Sequence, residues 1–231
     1  MGGYVAWRAG TQPDGSDSMA EEVAPASHWP EMRALILVVS AAKKDVASTA
    51  GMQVTVGTSE LFHTRAEVVV PARMRAMETA IQKRDFESFA KITMQDSNSF
   101  HAVCLDSWPP IHYLDDVSRA AMRIVEGIND KAGGMIAAYT FDAGPNAVVY
   151  YLEKEGERVA GTFRKILGEG VEGWEGVYGE MIRARQEPGL DEKAVEVLEG
   201  GVSRVICTGV GGAPEKVDRH LVDEMGQPMV E

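Results

Sequence analysis

The stretch AYTFDAGPNAVVYYLE, residues 138–153, constrains the fold most, because it joins two strand-like runs by a short turn. Ala137–Phe141 and Ala147–Leu152 are rich in β-branched and aromatic residues, and a Gly-Pro-Asn cluster separates them. A connection this short joins antiparallel strands, since parallel strands need a long crossover. The stretch therefore predicts a β-hairpin with one carboxylate, Asp142, at its turn.

The role of Asp142 is open on local grounds. An aspartate just before a turn commonly accepts hydrogen bonds from backbone N–H groups two or three residues further on. A carboxylate held among apolar residues can instead take a proton from a bound molecule. The sequence around Asp142 favours the turn-capping role when it is taken alone.

Outside the hairpin, the clearest strand is the apolar run Ala34–Ser40. Between it and the hairpin, apolar residues recur at helical spacing in three segments. The first begins at Pro71 and the second at Asp85, and the third has Asp115 and Asp116 in its first turn and Gly133-Gly134 after its end. The inward positions of these helices are predicted to be Met74, Met77, Ile81, Phe86, Phe89, Ile92, Leu114, Val117, Ala121, Ile124 and Ile128.

The chain after the hairpin predicts a further helix over Glu157–Leu167 and a last strand over Val202–Thr208. The Gly- and Glu-rich residues up to about 188 are typical of a surface insertion. Strands that alternate irregularly with long helices, and include a hairpin, favour an α+β fold. We expect a mainly antiparallel sheet with helices packed on one face.

Composition excludes several classes of function. A chain of 231 residues with 45% hydrophobic content is long and apolar enough for a globular protein. Its net charge of −12 argues against nucleic acid as a partner. No apolar run approaches the ~20 residues that cross a bilayer, and the two cysteines lack disulfide or zinc spacing. We expect a cytoplasmic protein that is not bound to a membrane.

Few residues offer recognisable chemistry. The five histidines show no metal-binding spacing, so we expect no transition metal held by protein ligands. The glycine-rich TGVGGAP at 208–214 follows a strand but matches no phosphate-loop motif, which favours an exposed turn. Ser48 and Thr49 stand at a predicted helix start near Met52, where they either cap the helix or donate hydrogen bonds to an anion.

Several long blocks of the sequence resemble the mevalonate diphosphate decarboxylases of the eukaryotic, fungal type. The blocks are GGYVAW, VAPASHWPEMRALILVVSAAKKDVASTAGMQVTVGTSELF, VVPARM, TMQDSNSFHAVCLDSWPP, YTFDAGPNAVVYYLE and VSRVICTGVGGAP. They run over nearly the whole chain and weaken only between about 155 and 200. That family belongs to the superfamily of galactokinase, homoserine kinase, mevalonate kinase and phosphomevalonate kinase, so the resemblance implies the C-terminal lobe of a two-lobed fold.

The resemblance implies ATP-dependent decarboxylation of mevalonate 5-diphosphate to isopentenyl diphosphate, with ATP and Mg²⁺, in a homodimer on the isoprenoid and sterol route. It implies that Asp142 is the catalytic base beside the C3 hydroxyl of the substrate. Ser48 and Thr49 match substrate-binding positions, and Met52 and His101 match supporting positions at the same site.

The same resemblance implies that the ATP phosphate loop and further substrate-binding residues lie upstream of Met1. On this reading residues 1–30 are a remnant of the segment between the lobes, and residues 31–231 form the C-terminal substrate and catalytic-base domain. The chain alone is then expected to be inactive. Two alternatives remain, namely a related small-molecule kinase without decarboxylation and a non-catalytic dimerising module.

Overall fold

The computed structural model describes residues 1–39 and 48–216, together with positions 221, 222, 225, 227 and 229. The predicted strand residue Ser40, the segment 41–47 and His220 lie outside the described residues. The strands are β1 Tyr4–Arg8, β2 Met19–Ala24, β3 Met32–Val38, β4 Ala137–Thr140, β5 Ala147–Leu152 and β6 Arg204–Gly209. The helices are α1 Ser48–Thr58, α2 Glu60–Thr64, α3 Val70–Lys83, α4 Phe86–Asp106, α5 Asp116–Ala132, α6 Gly156–Leu167 and α7 Glu192–Gly201.

Four of these strands form an antiparallel sheet in the order β4-β5-β3-β6. The predicted hairpin is confirmed as β4 and β5, and the predicted apolar strand is β3 at the centre of the sheet. Leu35 of β3 pairs with Val149 on one side and with Cys207 on the other. Strands β1 and β2 form a separate antiparallel ribbon.

The main core lies between one face of this sheet and the helices α5, α6 and α7. Its central side chains are fully buried, and they include Leu35, Val149, Ile124, Phe163 and Leu198. Truncating a side chain in such a position to alanine typically costs 2–5 kcal/mol. The α+β class, the antiparallel sheet and the helical layer are therefore confirmed.

A second, smaller core shows that helices are not confined to one face. Helices α3 and α4 and the β1–β2 ribbon pack around Trp29 and against Ala138. The ring of Phe89 on α4 meets that of Tyr150 on β5 edge to face, with centroids 5.5 Å apart. Because successive strand residues point to opposite faces, Ala138 and Tyr150 belong to the face that α5 to α7 leave open. Helices α5 to α7 therefore form the expected layer on one face of the sheet. Helices α3 and α4, which were expected on that same face, cover part of the opposite one.

Helix α5 begins and ends as its sequence predicts. The Asp115 side chain accepts a hydrogen bond from the Ser118 backbone N–H at 2.8 Å, and Ser118 Oγ accepts one from the Asp115 N–H. Gly133 ends the helix with φ of 71°, a conformation that costs glycine little. Asn129 then holds the start of β4, since its side chain bonds to Ile136 and to both backbone polar groups of Ala137.

The residues up to about 188 lie mostly at the surface, as predicted, but the segment also contributes side chains to the core. Trp174 and Ile182 belong to the main core and are 6% and 7% exposed. Arg164 of α6 donates to the Ile182 carbonyl at 2.6 Å, and Arg158 pairs with the buried Glu187 at 3.0 Å. The many glycines and glutamates made the segment look uniformly polar in the sequence. Its few packed side chains could not be recognised there, because their partners are on α6.

Within the described part of the chain, no helix has both the length and the apolar character needed to cross a membrane.

Candidate functional site

A cavity of about 470 Å³ opens beside the hairpin turn, which we define as residues 142–146. Helices α1 and α4 and the turn itself form its walls. Its lining combines a few polar groups with mostly apolar side chains, an arrangement typical of small-molecule sites. The lining residues are Ser48, Gly51, Met52, Thr55, Val56, Phe62, Arg65, Phe100, Val103, Cys104, Tyr113, Asp142 and Ala143.

The α1 wall is fixed to the end of α4 by side-chain hydrogen bonds. Thr55 and Ser107 share a buried hydrogen bond of 2.7 Å between their hydroxyls. One turn further on, Ser59 donates to the Asp106 carboxylate at 2.7 Å. The buried Thr55–Ser107 bond is the costlier of the two to break, because either hydroxyl would be left unsatisfied away from water. The two bonds therefore hold Ser48 and Met52 at the cavity.

Gly51 lets Tyr113 reach this wall. A Cβ atom at position 51 would collide with the Tyr113 hydroxyl, so the glycine in mid-helix permits the close approach. Burial raises the pKa of Tyr113, and the neighbouring Cys104 and Asp142 act in the same direction. Tyr113 is therefore a neutral hydroxyl donor or acceptor at the cavity around neutral pH.

Asp142 lies exposed at the mouth of the cavity. Within the turn, the Gly144 N–H donates to the backbone carbonyl of Asp142 at 2.8 Å. No described residue donates a hydrogen bond to the Asp142 carboxylate, so the turn-capping role has no hydrogen bond to support it. The carboxylate thus lies at the cavity, exposed and without a hydrogen-bond donor among the described residues.

Arg65 brings positive charge to the cavity lining. Both terminal nitrogens of its guanidinium bond to the Asp96 carboxylate, at 2.9 and 2.8 Å, and Arg73 bonds to the same carboxylate at 3.0 Å. Burial alone would raise the pKa of Asp96, but the hydrogen bonds from the two arginines outweigh it and lower the pKa. Two cations and one anion leave this cluster with a formal charge of +1.

His101 lies behind the cavity lining, 6% exposed. Its ring centroid is 6.4 Å from that of Tyr113 and 6.2 Å from that of Phe141. Burial lowers the pKa of His101, although a hydrogen bond with the Phe141 backbone and the charge of Asp142 oppose this. His101 is therefore a neutral, buried ring near neutral pH.

The structure brings three of the predicted site residues together, because Ser48, Met52 and Asp142 all line the cavity. Thr49 is exposed on the first turn of α1 and does not line it, and neither does His101. The predicted helix containing Met52 is confirmed as α1, whose first described residue is Ser48; the residues before it lie outside the described part of the chain. Sequence reasoning missed Arg65 and Tyr113. Arg65 could have been found only through its ion pair with Asp96, which is 31 residues away in the sequence.

Two features bear on phosphate and metal binding. Residues 211 and 212 of the glycine-rich segment are exposed, and the Gly211 carbonyl accepts a hydrogen bond from the Gly3 N–H at 2.9 Å. The segment thus packs against the start of the chain. Among the described residues, no three His, Cys, Asp or Glu side chains come together as metal ligands.

Comparison with known proteins gives a consistent result. Residues 34–217 match the family model of the mevalonate 5-diphosphate decarboxylase C-terminal domain. Diphosphomevalonate decarboxylase mvd1 of Aspergillus fumigatus is 64% identical over 98% of this chain and 57% of its own length. A crystal structure of mevalonate 5-diphosphate decarboxylase is 46% identical, with a TM-score of 0.83, over 98% of this chain and 59% of its own.

A third match has ligands in its description. It is a structure of MDDEF in complex with MVAPP, AMPPCP and magnesium, 29% identical with a TM-score of 0.63, over 71% of this chain and 48% of its own. The chain therefore spans less than two thirds of the proteins that it matches. The match to the family model and the identity to these proteins show that the chain belongs to the mevalonate 5-diphosphate decarboxylases and corresponds to their C-terminal domain.

Proposed function

We propose that this chain supplies the catalytic base and part of the substrate site for ATP-dependent decarboxylation of mevalonate 5-diphosphate to isopentenyl diphosphate. The observation that carries the proposal is the convergence of Asp142 and Ser48 on one cavity in a chain of this family. The names of the relatives support the reaction and the substrate.

In the first step, the Asp142 carboxylate accepts the proton of the substrate's C3 hydroxyl. The hydroxyl oxygen forms a bond to the γ-phosphorus of ATP, and the bond from that phosphorus to ADP breaks. A positioned base of this kind typically contributes a factor of about 10²–10⁴ to the rate. The exposed position of Asp142, free of described hydrogen-bond donors, leaves its oxygens open to the hydroxyl.

In the second step, the C3–O bond breaks, and its electron pair leaves with the phosphate. The bond between the carboxylate carbon and C2 then supplies the electrons of the new C2–C3 double bond, and carbon dioxide leaves. The mostly apolar lining of the cavity limits access of water to the carbon that becomes positive. Each step thus has a group or a surface of this chain that serves it.

Substrate recognition uses the donors at the other walls. The substrate carries a carboxylate and a diphosphate, so it is strongly anionic. Ser48 offers a hydroxyl at the start of α1, where helix N–H groups also favour anions. Thr49 adjoins it, the cationic Arg65 cluster adds favourable charge, and Met52 and His101 support the walls.

Mg²⁺ would neutralise charge on the ATP phosphates during transfer. The described residues do not form a metal site of their own, so we assign no step to Mg²⁺ through this chain. The complex of a similar protein with AMPPCP and magnesium supports both ATP and Mg²⁺ as requirements.

The remaining parts of the proposal rest on the family resemblance. We place the activity in the cytoplasm, in a homodimer, on the route to isoprenoids and sterols. We also keep residues 1–30 as part of the segment between two lobes, and residues 31–231 as the substrate and base domain. Within the first segment the rings of Tyr4 and Trp29 stack 6.3 Å apart, and Trp29 meets the rings of Phe86 and Phe89 in the domain edge to face, at 6.4 and 6.0 Å.

The test joins this chain to the N-terminal part of the Aspergillus fumigatus relative and supplies ATP, Mg²⁺ and mevalonate 5-diphosphate. We expect carbon dioxide, ADP, phosphate and isopentenyl diphosphate in equal amounts. A phosphorylated product without carbon dioxide would indicate the related kinase instead. No turnover of either kind by a folded chimera would indicate a non-catalytic module.

A further inference from the structure

The backbone of Phe141, the residue just before Asp142, is held by helix α4. The Phe141 N–H donates to Ser97 Oγ at 3.1 Å, and both residues are buried, with exposures of 5% and 4%. Phe141 follows the last residue of β4, so its N–H lies beyond the strand ladder. The serine therefore fixes the backbone at the point where the strand becomes the turn.

The next turn of α4 places His101 beside the same residue. Ser97 and His101 are four positions apart and so lie on one side of the helix. The ring of His101 meets that of Phe141 edge to face, with centroids 6.2 Å apart, so the imidazole packs directly on the residue that precedes Asp142.

The other end of the turn is held by a different helix. Ser118, in the first turn of α5, donates to the Pro145 carbonyl at 2.9 Å. Asn146 accepts a hydrogen bond from the Val39 N–H at 2.9 Å, which ties the turn to the end of β3. These contacts fix the backbone at both ends of the turn. The orientation of residues 142–144 then depends on the position of Phe141, which directly precedes them.

We propose that Ser97 and His101 are positioning residues, which act through Phe141 to hold the Asp142 carboxylate at the angle and depth needed for proton transfer. Neither residue lines the cavity, so neither contacts the substrate. The inference rests on the proposed function, because it concerns the base of that reaction. Errors of position of about 1 Å cost up to about 10²-fold in rate.

The first test is Ser97→Ala in the chimera described above. We expect kcat to fall about 10-fold to 100-fold, while KM for mevalonate 5-diphosphate and for ATP stays within about twofold, since no contact to either substrate is lost. Ser97→Thr keeps the hydroxyl and should restore most of kcat. His101→Ala removes the ring that packs on Phe141, and should likewise lower kcat while KM stays within about twofold.

The matched control is Ser99→Ala, on the same helix two residues further on, which should leave kcat and KM unchanged. The proposal is overturned if Ser97→Ala keeps full kcat while Asp142→Asn loses it, a result that would leave the proposed function intact. An inactive parent chimera would instead refute the proposed function, and the catalytic part of this inference with it.

A second measurement addresses the contact itself, in the 231-residue chain. Ser97→Ala should accelerate hydrogen exchange of the Phe141 amide about fivefold to tenfold, the effect of losing a buried hydrogen bond. The Val149 amide in the core should keep its rate. Equal acceleration at both amides, with a lower melting temperature, would show a general structural role and contradict the positioning role.

Discussion

At the scale of single residues, the chemistry of the site depends on side chains that only the fold brings together. Asp142 and Ser48 were predicted through a resemblance to a family, because each has an ordinary local role in a turn or at a helix start. Arg65 and Tyr113 gave no local signal at all, since their partners Asp96 and Gly51 are distant in the sequence. The sequence therefore indicates candidate residues, and the structure shows which of them line one cavity.

The double variant Ser48→Ala with Thr49→Ala should weaken binding of mevalonate 5-diphosphate to the chimera. Hydrogen bonds to charged groups contribute about 1.5–3 kcal/mol each, so we expect the Kd to rise at least about tenfold, with ATP affinity little changed. Ser48→Ala alone should account for most of the change, because Ser48 lines the cavity and Thr49 does not. Calorimetry checks this, and a lower melting temperature with an unchanged Kd would make the pair a helix cap.

Stability should fall as the pH is lowered through the range where histidine titrates. Burial holds the pKa of His101 below its ordinary 6.5, so near that pH the unfolded chain binds more protons than the folded one. The stability that the neutral ring contributes is present above 6.5 and is lost as pH falls toward the folded-state pKa. Denaturant unfolding of the 231-residue chain at pH about 7.5 and 5.5 should show the loss, and His101→Phe should reduce it. An identical pH dependence in this variant would show that other groups cause the loss.

At the scale of secondary structure, the predicted elements that match the structure are those with strong local signals. Helix α5 has an aspartate cap, regular apolar spacing and a terminal glycine, and β4–β5 has a short turn between apolar runs. Helix α7 was missed although Asp191 caps it, because the glutamates around it masked its short apolar face. The segment before it was misread for a related reason, since Trp174 and Ile182 stand among many polar residues.

Ser118→Ala should destabilise the chain by about 1–3 kcal/mol, because it removes half of a capping box and the bond to the Pro145 carbonyl. Ser88 provides a matched control at the same position of α4, where its side chain bonds to the capping Asp85 and to no other described residue. Ser88→Ala should cost less, about 1 kcal/mol or below. Denaturant unfolding checks both, and equal losses would show that the bond to Pro145 adds nothing.

At the scale of the whole molecule, two helical groups hold one antiparallel sheet and place a cavity at one hairpin turn. The class of fold could be predicted from the pattern of strands and helices. The second core around Trp29 could not, because its residues come from many separate elements, β1 to β5 together with α3 and α4. The chain spans 57% of the length of its Aspergillus fumigatus relative. The proposed reaction accordingly involves more of the enzyme than the groups described here.

The 231-residue chain alone should release no carbon dioxide from mevalonate 5-diphosphate and ATP. The cavity offers the Asp142 carboxylate and the Ser48 hydroxyl, but the described residues form no metal site, and the glycine-rich segment packs against the start of the chain. A radiometric assay of carbon dioxide with the chain and with the chimera checks this. Turnover by the chain alone would show that it holds the nucleotide without the N-terminal part.

The most direct measurement of the central claim, that Asp142 is the catalytic base, is a single-turnover assay of Asp142→Asn in the chimera. The amide keeps the shape of the side chain but cannot accept the hydroxyl proton, so phosphorylation at C3 and decarboxylation should slow together by about 10²–10⁴. The substrate Kd should stay within a few-fold, and the exposed Asp116→Asn on α5 should behave as the parent. Normal formation of the phosphorylated intermediate by Asp142→Asn, with or without carbon dioxide release, would contradict the account.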